Sequence, residues 1–204
     1  MLAESAAIKK DAFTSLYREY DQQVLDLVLD YHSQHEGISR VEKIRHCHQR
    51  FLNIDLTDDG LDELCERYSQ YVKNAVINCP WVAGAEQLLK TVHKYIDCYV
   101  ASGTPEDELK DIVRERNMGH YFKGVYGSPR LKNIIVDDVF ARIQYDLNGC
   151  IFIGDAMTDY NAAKLLGMNF IGRVLPGRAS PFPIGTRTID DLSALHNQFI
   201  RTTS

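Results

Sequence analysis

The sequence contains a short segment in which two carboxylates could bind a metal ion. Residues 151–154 form an apolar run that ends in glycine, and Asp155 and Asp159 follow it. Four residues are about one helical turn, so both side chains can face the same point at the end of a predicted strand. Two carboxylates this close repel one another unless a cation lies between them, and hard oxygen ligands suit Mg²⁺. The alternative is that Asp155 caps the next helix and Asp159 is a surface acid.

A second segment places a hydroxyl group beside a glycine. Ser102, Gly103 and Thr104 follow a predicted strand that ends at Ala101. A helix begins shortly afterwards, and the free N–H groups of a helix start can hold a phosphate. The same residues are also common in ordinary turns, so this segment alone leaves both interpretations open.

A third segment places a lysine at the start of a predicted helix. Lys132 follows the sequence Gly-Ser-Pro-Arg-Leu, which begins at Gly127. A cation at this end of a helix opposes the helix dipole, which costs roughly 0.3–1 kcal/mol unless an anion lies nearby. Lys132 therefore favours an anion site, with a solvated lysine beside a turn as the alternative.

The elements that must position these residues change in character at Pro80. Before it, apolar residues recur at intervals of three and four, which predicts helices with a break near Tyr20. The predicted helices span 4–30, 40–52 and 57–78, with N-caps at Ser39 and at Thr57 or Asp58.

After Pro80, helical patterns alternate with short apolar runs. Strands are predicted at 96–101, 124–126, 150–154, 169–174 and near 188, and helices at 85–94, 106–117, 136–145, 158–166 and from 191. This alternation predicts an α/β fold with a parallel sheet and helices on both faces. Because ligands bind at the carboxyl ends of parallel strands, we expect Ser102, Lys132 and Asp155 to converge there.

Composition limits the classes of function. The net charge of -5 gives no basic surface for nucleic acid, and the five cysteines are scattered as expected for reduced thiols. No run approaches the roughly 20 apolar residues that span a bilayer, and the N-terminus lacks a signal-peptide pattern. We therefore expect a cytoplasmic protein without nucleic-acid or membrane partners.

In this order, the three segments resemble the second, third and fourth motifs of haloacid dehalogenase (HAD) superfamily phosphatases. The resemblance covers nearly the whole chain and is strongest to members similar to β-phosphoglucomutase and phosphoglycolate phosphatase. It implies that Ser102, Gly103 and Lys132 bind phosphate and that Ser102 and Lys132 act in catalysis. It also implies that Asp155 and Asp159 hold Mg²⁺.

The resemblance further implies a division into domains. Residues 1–9 would be a remnant of the core's first segment, 10–80 an inserted helical cap, and 81–204 the HAD-like α/β core. The segment Gly37-Ile38-Ser39-Arg40 resembles the loop by which caps of the β-phosphoglucomutase type contact substrate. Arg40 is therefore the predicted specificity residue.

One motif of the family is missing from the sequence. The pattern DxDGT or DxDGV, which supplies the family's aspartate nucleophile and its acid/base aspartate, does not occur. The segment Leu2-Ala3-Glu4-Ser5 resembles the residues that follow this motif, so the resemblance implies that the central first strand is missing. We expect such a chain to be inactive, to bind Mg²⁺ weakly and to self-associate through exposed sheet edges.

The function implied by the resemblance is Mg²⁺-dependent hydrolysis of a small phosphorylated metabolite. A non-catalytic remnant that binds phosphate or serves as a scaffold is the alternative from another class. A sugar phosphomutase shares the same core motifs and stays open. A true haloacid dehalogenase needs no metal and lacks the acid pair, so Asp155 and Asp159 count against it.

Overall fold

The computed structural model describes residues 1–143, 146 and 149–195. The helices are α1 (Ala6–Tyr17), α2 (Gln22–Gln34), α3 (Arg40–Cys47), α4 (Asp58–Asn78), α5 (Ala85–Val92), α6 (Glu106–Glu115), α7 (Lys132–Ile143) and α8 (Met157–Leu165). The strands are β1 (Tyr99–Pro105), β2 (Gly124–Ser128), β3 (Ile151–Gly154), β4 (Asn169–Arg173) and β5 (Thr188–Ile189).

Helices α1 to α4 form a helical unit (Ala6–Asn78) with its own apolar core. Its fully buried members include Phe13, Tyr17, Val28 and Ile44. These residues come from three different helices, so burying them together holds the unit in shape. The members of this core are almost all residues of the helical unit itself.

Local capping explains where these helices begin. The side chains of Asp21, Ser39 and Thr57 accept hydrogen bonds from backbone N–H groups in the first turns of α2, α3 and α4. The predicted break near Tyr20 and both predicted caps are confirmed. The predicted helix 40–52 is α-helical only to Cys47 and then continues as a π-helical turn, His48–Leu52.

The second part of the chain contains parallel strands, as the alternating pattern predicts. Strand β1 pairs with β2, and β3 pairs with β4, which pairs with β5. Among the described residues, no backbone ladder joins β1 to β3, so the strands form two sheets where the pattern predicts one. The space between these sheets belongs to a cavity of about 840 Å³.

Two predicted boundaries are wrong for reasons that lie in local hydrogen bonds. The predicted strand at 96–101 begins only at Tyr99, because the N–H of Ile96 donates to the Val92 carbonyl in a turn after α5. The predicted helix at 136–145 begins at Lys132, one turn earlier, because the Ile135 N–H already donates to the Leu131 carbonyl. Its last residues, 144–145, and most of the helix predicted from Asp191 lie outside the described residues.

Within the ranges that the structure describes, no helix is both long and apolar enough to span a membrane.

Candidate functional site

The predicted anion site and the predicted metal site meet in one place. The Lys132 ammonium lies 2.6 Å from Asp159 Oδ1 and 3.2 Å from the Thr158 hydroxyl oxygen. Lys132 begins α7 and Asp159 lies in the first turn of α8, so two separate helix starts face one another. Lys132 and Asp159 line one cavity together with Ser102 and Asp155.

Asp159 is a buried carboxylate that organises the loop after β3. Its side chain is nearly inaccessible, and its Oδ2 accepts the N–H groups of Asp155 at 3.2 Å and Ala156 at 3.1 Å. With Lys132 on Oδ1, both oxygens are engaged. The alternative in which Asp159 is a surface acid and Asp155 the cap is therefore wrong, because Asp159 caps the backbone.

Asp155 presents its carboxylate to the cavity. Its side chain is 41% exposed, and Oδ2 lies 2.7 Å from the Met1 ammonium. Burial would raise the pKa of Asp155, but the Met1 ammonium, followed by Lys9 and Lys132, holds that pKa below its ordinary value. Asp155 is therefore an ionised carboxylate that already faces a positive charge.

The first residues of the chain are held against the segment that follows α4. The Val82 N–H donates to the Leu2 carbonyl at 2.9 Å, and the Glu4 N–H donates to the Pro80 carbonyl at 3.0 Å. Glu4 Oε1 also pairs with Arg173 at 2.6 Å. These contacts bring Met1 to the end of β3.

Ser102 lies in the irregular last part of β1. Its hydroxyl oxygen accepts the Thr104 N–H at 3.1 Å, which is turn chemistry, while its O–H remains able to donate to a ligand. The following helix, α6, begins with Glu106, Asp107 and Glu108. Three acids already complement the positive end of this helix, so Ser102 is a better candidate for holding phosphate than the helix start.

A loop of the helical unit closes directly over this site. Gly37 has a φ of 92°, and a Cβ there would lie 2.7 Å from Ala156 Cβ and 3.5 Å from the Lys132 ammonium. On its other side, a Cβ on Gly103 would lie 2.7 Å from the Gly37 carbonyl oxygen. Only residues without side chains fit this contact between loop and core.

Arg40, the predicted specificity residue, forms an ion pair with a glutamate of the core. Its guanidinium makes two bonds to the Glu108 carboxylate, of 2.8 and 2.6 Å, and a third to the Ser69 hydroxyl. Both side chains of the pair are at most 10% exposed, and the guanidinium lies over the Tyr68 ring. The pair joins α3 to α6, so the structure places Arg40 at the contact between the helical unit and the core.

The sequence predictions missed three residues that line the cavity. Lys9 lies on α1, Lys43 on α3 and Glu108 on α6, and none belongs to a recognisable motif. In the sequence they are recognisable only as charged residues of helices that pack through their apolar faces. The apolar walls of the cavity include Val100 from β1 and Ile153 from β3.

Of the two predicted metal-binding carboxylates, only that of Asp155 could hold a cation without losing a contact within its own loop. In the described part of the chain, no three His, Cys, Asp or Glu residues form a cluster that could hold a metal ion. Asp155 already faces a positive charge, the Met1 ammonium at 2.7 Å from its Oδ2, so this carboxylate is the one that would hold a cation. Asp159 would have to exchange one of its contacts before it could also serve as a ligand.

Comparison with known families defines the class of the protein. The sequence matches the family of haloacid dehalogenase-like hydrolases over residues 1–173, and the chain belongs to this family. The predicted family and its α/β fold are thus confirmed. No curated protein matches the sequence at a significant level.

Solved structures share the fold at low sequence identity. YfnB from Bacillus subtilis, named as a HAD hydrolase and bound to magnesium, has a TM-score of 0.72 at 16% identity, covering 98% of this chain and 94% of its own. A protein from Haemophilus somnus named as a phosphoglycolate phosphatase has a TM-score of 0.73 at 15% identity, with coverages of 100% and 93%. CbbY from Rhodobacter sphaeroides, in complex with xylulose-(1,5)-bisphosphate, has a TM-score of 0.72 at 16% identity, with coverages of 95% and 91%.

Proposed function

We propose that this site binds the phosphoryl group of a small phosphomonoester together with Mg²⁺, as the site of a Mg²⁺-dependent phosphatase. The observation that carries the proposal is the meeting of Lys132, Ser102 and Asp155 at one cavity under the Gly37 loop. The family, a relative named as a phosphatase and another bound to magnesium support it.

Each side chain has a distinct part in this proposal. The Lys132 ammonium attracts the phosphoryl oxygens, and the Ser102 hydroxyl donates a hydrogen bond to one of them. Asp155 holds Mg²⁺, which when bound would neutralise charge on the phosphoryl group. Asp159 keeps the loop and Lys132 in place and stays a predicted second ligand. The helical unit, packed over the site by its Gly37 loop, excludes bulk water as a cap.

Hydrolysis by this family's route also needs an attacking carboxylate. The nearby carboxylates of Asp155, Asp159 and Glu108 are each held in an ion pair. We propose that the attacking aspartate belongs on a strand between β1 and β3, where the cavity separates the two sheets. The 204 residues alone would then bind phosphate without turning substrate over.

The purified chain, supplied with Mg²⁺ and a generic aryl phosphate, is accordingly expected to show no phosphatase turnover above background. Release of the aryl alcohol measures this directly, and the Asp155→Asn variant serves as the matched control. Equal, background-level rates for both proteins are the expected outcome. Metal-dependent turnover that disappears in the variant would mean that a nucleophile exists within these residues, and the proposal of a strand between the sheets would fall.

A further inference from the structure

We propose that Lys9 and Lys43 form a second anion-binding site in the same cavity, so that the substrate carries another anionic group besides its phosphoryl group. This inference rests on the proposed function, which places the phosphoryl group at Lys132. The second group would be a carboxylate or a second phosphate, held by the wall of the cavity that the helical unit provides.

Lys43 is a buried amine that no carboxylate neutralises, and burial lowers its pKa to about 8, so most of it still carries a proton at neutral pH. It is 3% exposed, and its ammonium lies 3.2 Å from His32 Nδ1, 3.5 Å from the His32 carbonyl oxygen and 5.8 Å from the centre of the Phe13 ring. Among the described residues, it has no acidic side chain within 4.0 Å. Glu36, the acid that acts on it electrostatically, is partly exposed and pairs with Arg178.

His32 supplies no counter-charge. Burial, reinforced by Lys43 and Lys9, lowers the pKa of His32 to about 3, so the ring is neutral at physiological pH. A neutral ring nitrogen can accept one hydrogen bond from the Lys43 ammonium. The remaining ammonium protons and the net charge stay available to a ligand.

Lys9 lines the same cavity as Lys43 and Lys132 and acts electrostatically on both. Burial lowers the pKa of Lys9, and the charges that act on it include Asp155 and Lys132 in the core. Within the described part of the chain, its ammonium makes neither a hydrogen bond nor an ion pair. Lys9 therefore lines the cavity without a hydrogen-bonded or ion-paired partner in this part of the chain.

Most other cations of the cavity are paired with an acid. Arg40 pairs with Glu108, Lys132 with Asp159, Arg173 with Glu4, and the Met1 ammonium with Asp155. Arg116 instead donates its hydrogen bonds to the backbone carbonyls of Val76, Ile77 and Cys79. On the wall that α1 and α3 provide, the charge without an acidic partner is therefore that of Lys9 and Lys43. A buried cation without a counter-ion destabilises the protein, so the cavity gains most from a ligand that brings an anion to this wall. Both sites line one cavity, and we infer that a single molecule spans them.

Calorimetric titration of the chain with Mg²⁺ and three defined probes tests this inference. Ethyl phosphate has one anionic group, 2-phosphoglycolate adds a carboxylate, and propane-1,3-diol bisphosphate adds a second phosphate. We expect at least one of the last two to bind about tenfold more tightly than ethyl phosphate, which corresponds to one well-placed charge contact. The better of the two identifies the second group.

Three methionine variants show which lysines cause the preference for a probe with a second anionic group. Lys9→Met and Lys43→Met should each remove most of this preference, and Lys43→Met should leave the affinity for ethyl phosphate within about twofold. Lys10→Met is the matched control, because Lys10 is the exposed neighbour of Lys9 on α1 and its loss changes the net charge equally. We also expect Lys43→Met to raise the melting temperature of the ligand-free chain, since it removes a buried, unneutralised charge.

The outcomes separate this inference from the proposed function. Equal affinity for all three probes, or a preference that survives in both Lys9→Met and Lys43→Met, would overturn the second site alone. A melting temperature that falls in Lys43→Met would show that the ammonium is satisfied within the protein, which also argues against it. If none of the probes binds, the proposed function fails, and the second site fails with it.

Discussion

Replacing Lys132 with methionine is expected to abolish phosphate binding and to lower the free energy of unfolding by about 3 kcal/mol. The ammonium provides the positive charge that attracts phosphate and also pairs with the buried Asp159. Removing one partner of a buried ion pair typically costs about 3–5 kcal/mol, because the other charge stays buried. We expect the lower end, since Asp159 keeps two backbone N–H donors.

Urea unfolding and phosphate titration measure the two effects separately. Lys123→Met is the matched control, because Lys123 is 63% exposed and lies 3.7 Å from its acidic neighbour, too far for a strong pair. The control should leave both quantities unchanged. A Lys132→Met variant that binds phosphate as well as the original chain would remove Lys132 from the site.

Breaking the pair between Arg40 and Glu108 is expected to have the largest effect on stability. Glu108→Gln leaves the Arg40 guanidinium buried without its counter-charge, which should lower the free energy of unfolding by about 3–5 kcal/mol. The double variant Arg40→Met with Glu108→Gln should recover much of this loss, because no unneutralised charge then remains. A double-mutant cycle in urea isolates the coupling between the two residues.

A second ion pair also joins the helical unit to α6, and its exposure makes it a control for the buried pair between Arg40 and Glu108. Lys73 of α4 contacts Asp111 of α6 at 2.6 Å, but both side chains are substantially exposed. Solvent screens such a pair, so Lys73→Met should have a much smaller effect than Glu108→Gln. If the Arg40 and Glu108 variants proved simply additive, the pair would not stabilise the contact between the helical unit and the core.

Features that depend on neighbouring residues could be predicted from the sequence. The helices of the first 78 residues follow from apolar spacing, and their starts follow from Ser39 and Thr57, whose hydroxyls bond N–H groups three residues later. The parallel α/β class follows from the alternation after Pro80. Lys132 could be selected because a cation at a helix start opposes the helix dipole, and Asp155 could be selected because a second carboxylate, Asp159, follows one helical turn later.

Features that depend on distant residues could not be predicted. Arg40 and Glu108 are 68 positions apart, so no local sequence pattern shows that Glu108 forms an ion pair with Arg40, the predicted specificity residue. The different roles of Asp155 and Asp159 depend on which carboxylate turns back toward the loop N–H groups. Lys9 and Lys43 look like ordinary surface lysines of amphipathic helices until the fold places them in the cavity.

We propose that Asp155 and Mg²⁺ together hold a phosphoryl group beside Lys132. Calorimetric titration of inorganic phosphate, with and without Mg²⁺, tests this most directly, with Asp155→Asn as the critical variant and Asp62→Asn, an exposed acid of α4, as the control. We predict that Mg²⁺ strengthens phosphate binding at least about tenfold, equivalent to roughly 1.4 kcal/mol, in the original chain and the control, and that Asp155→Asn removes this gain. Phosphate binding that does not respond to Mg²⁺, or a response that persists in Asp155→Asn, would mean that Asp155 does not hold Mg²⁺ at the phosphate site.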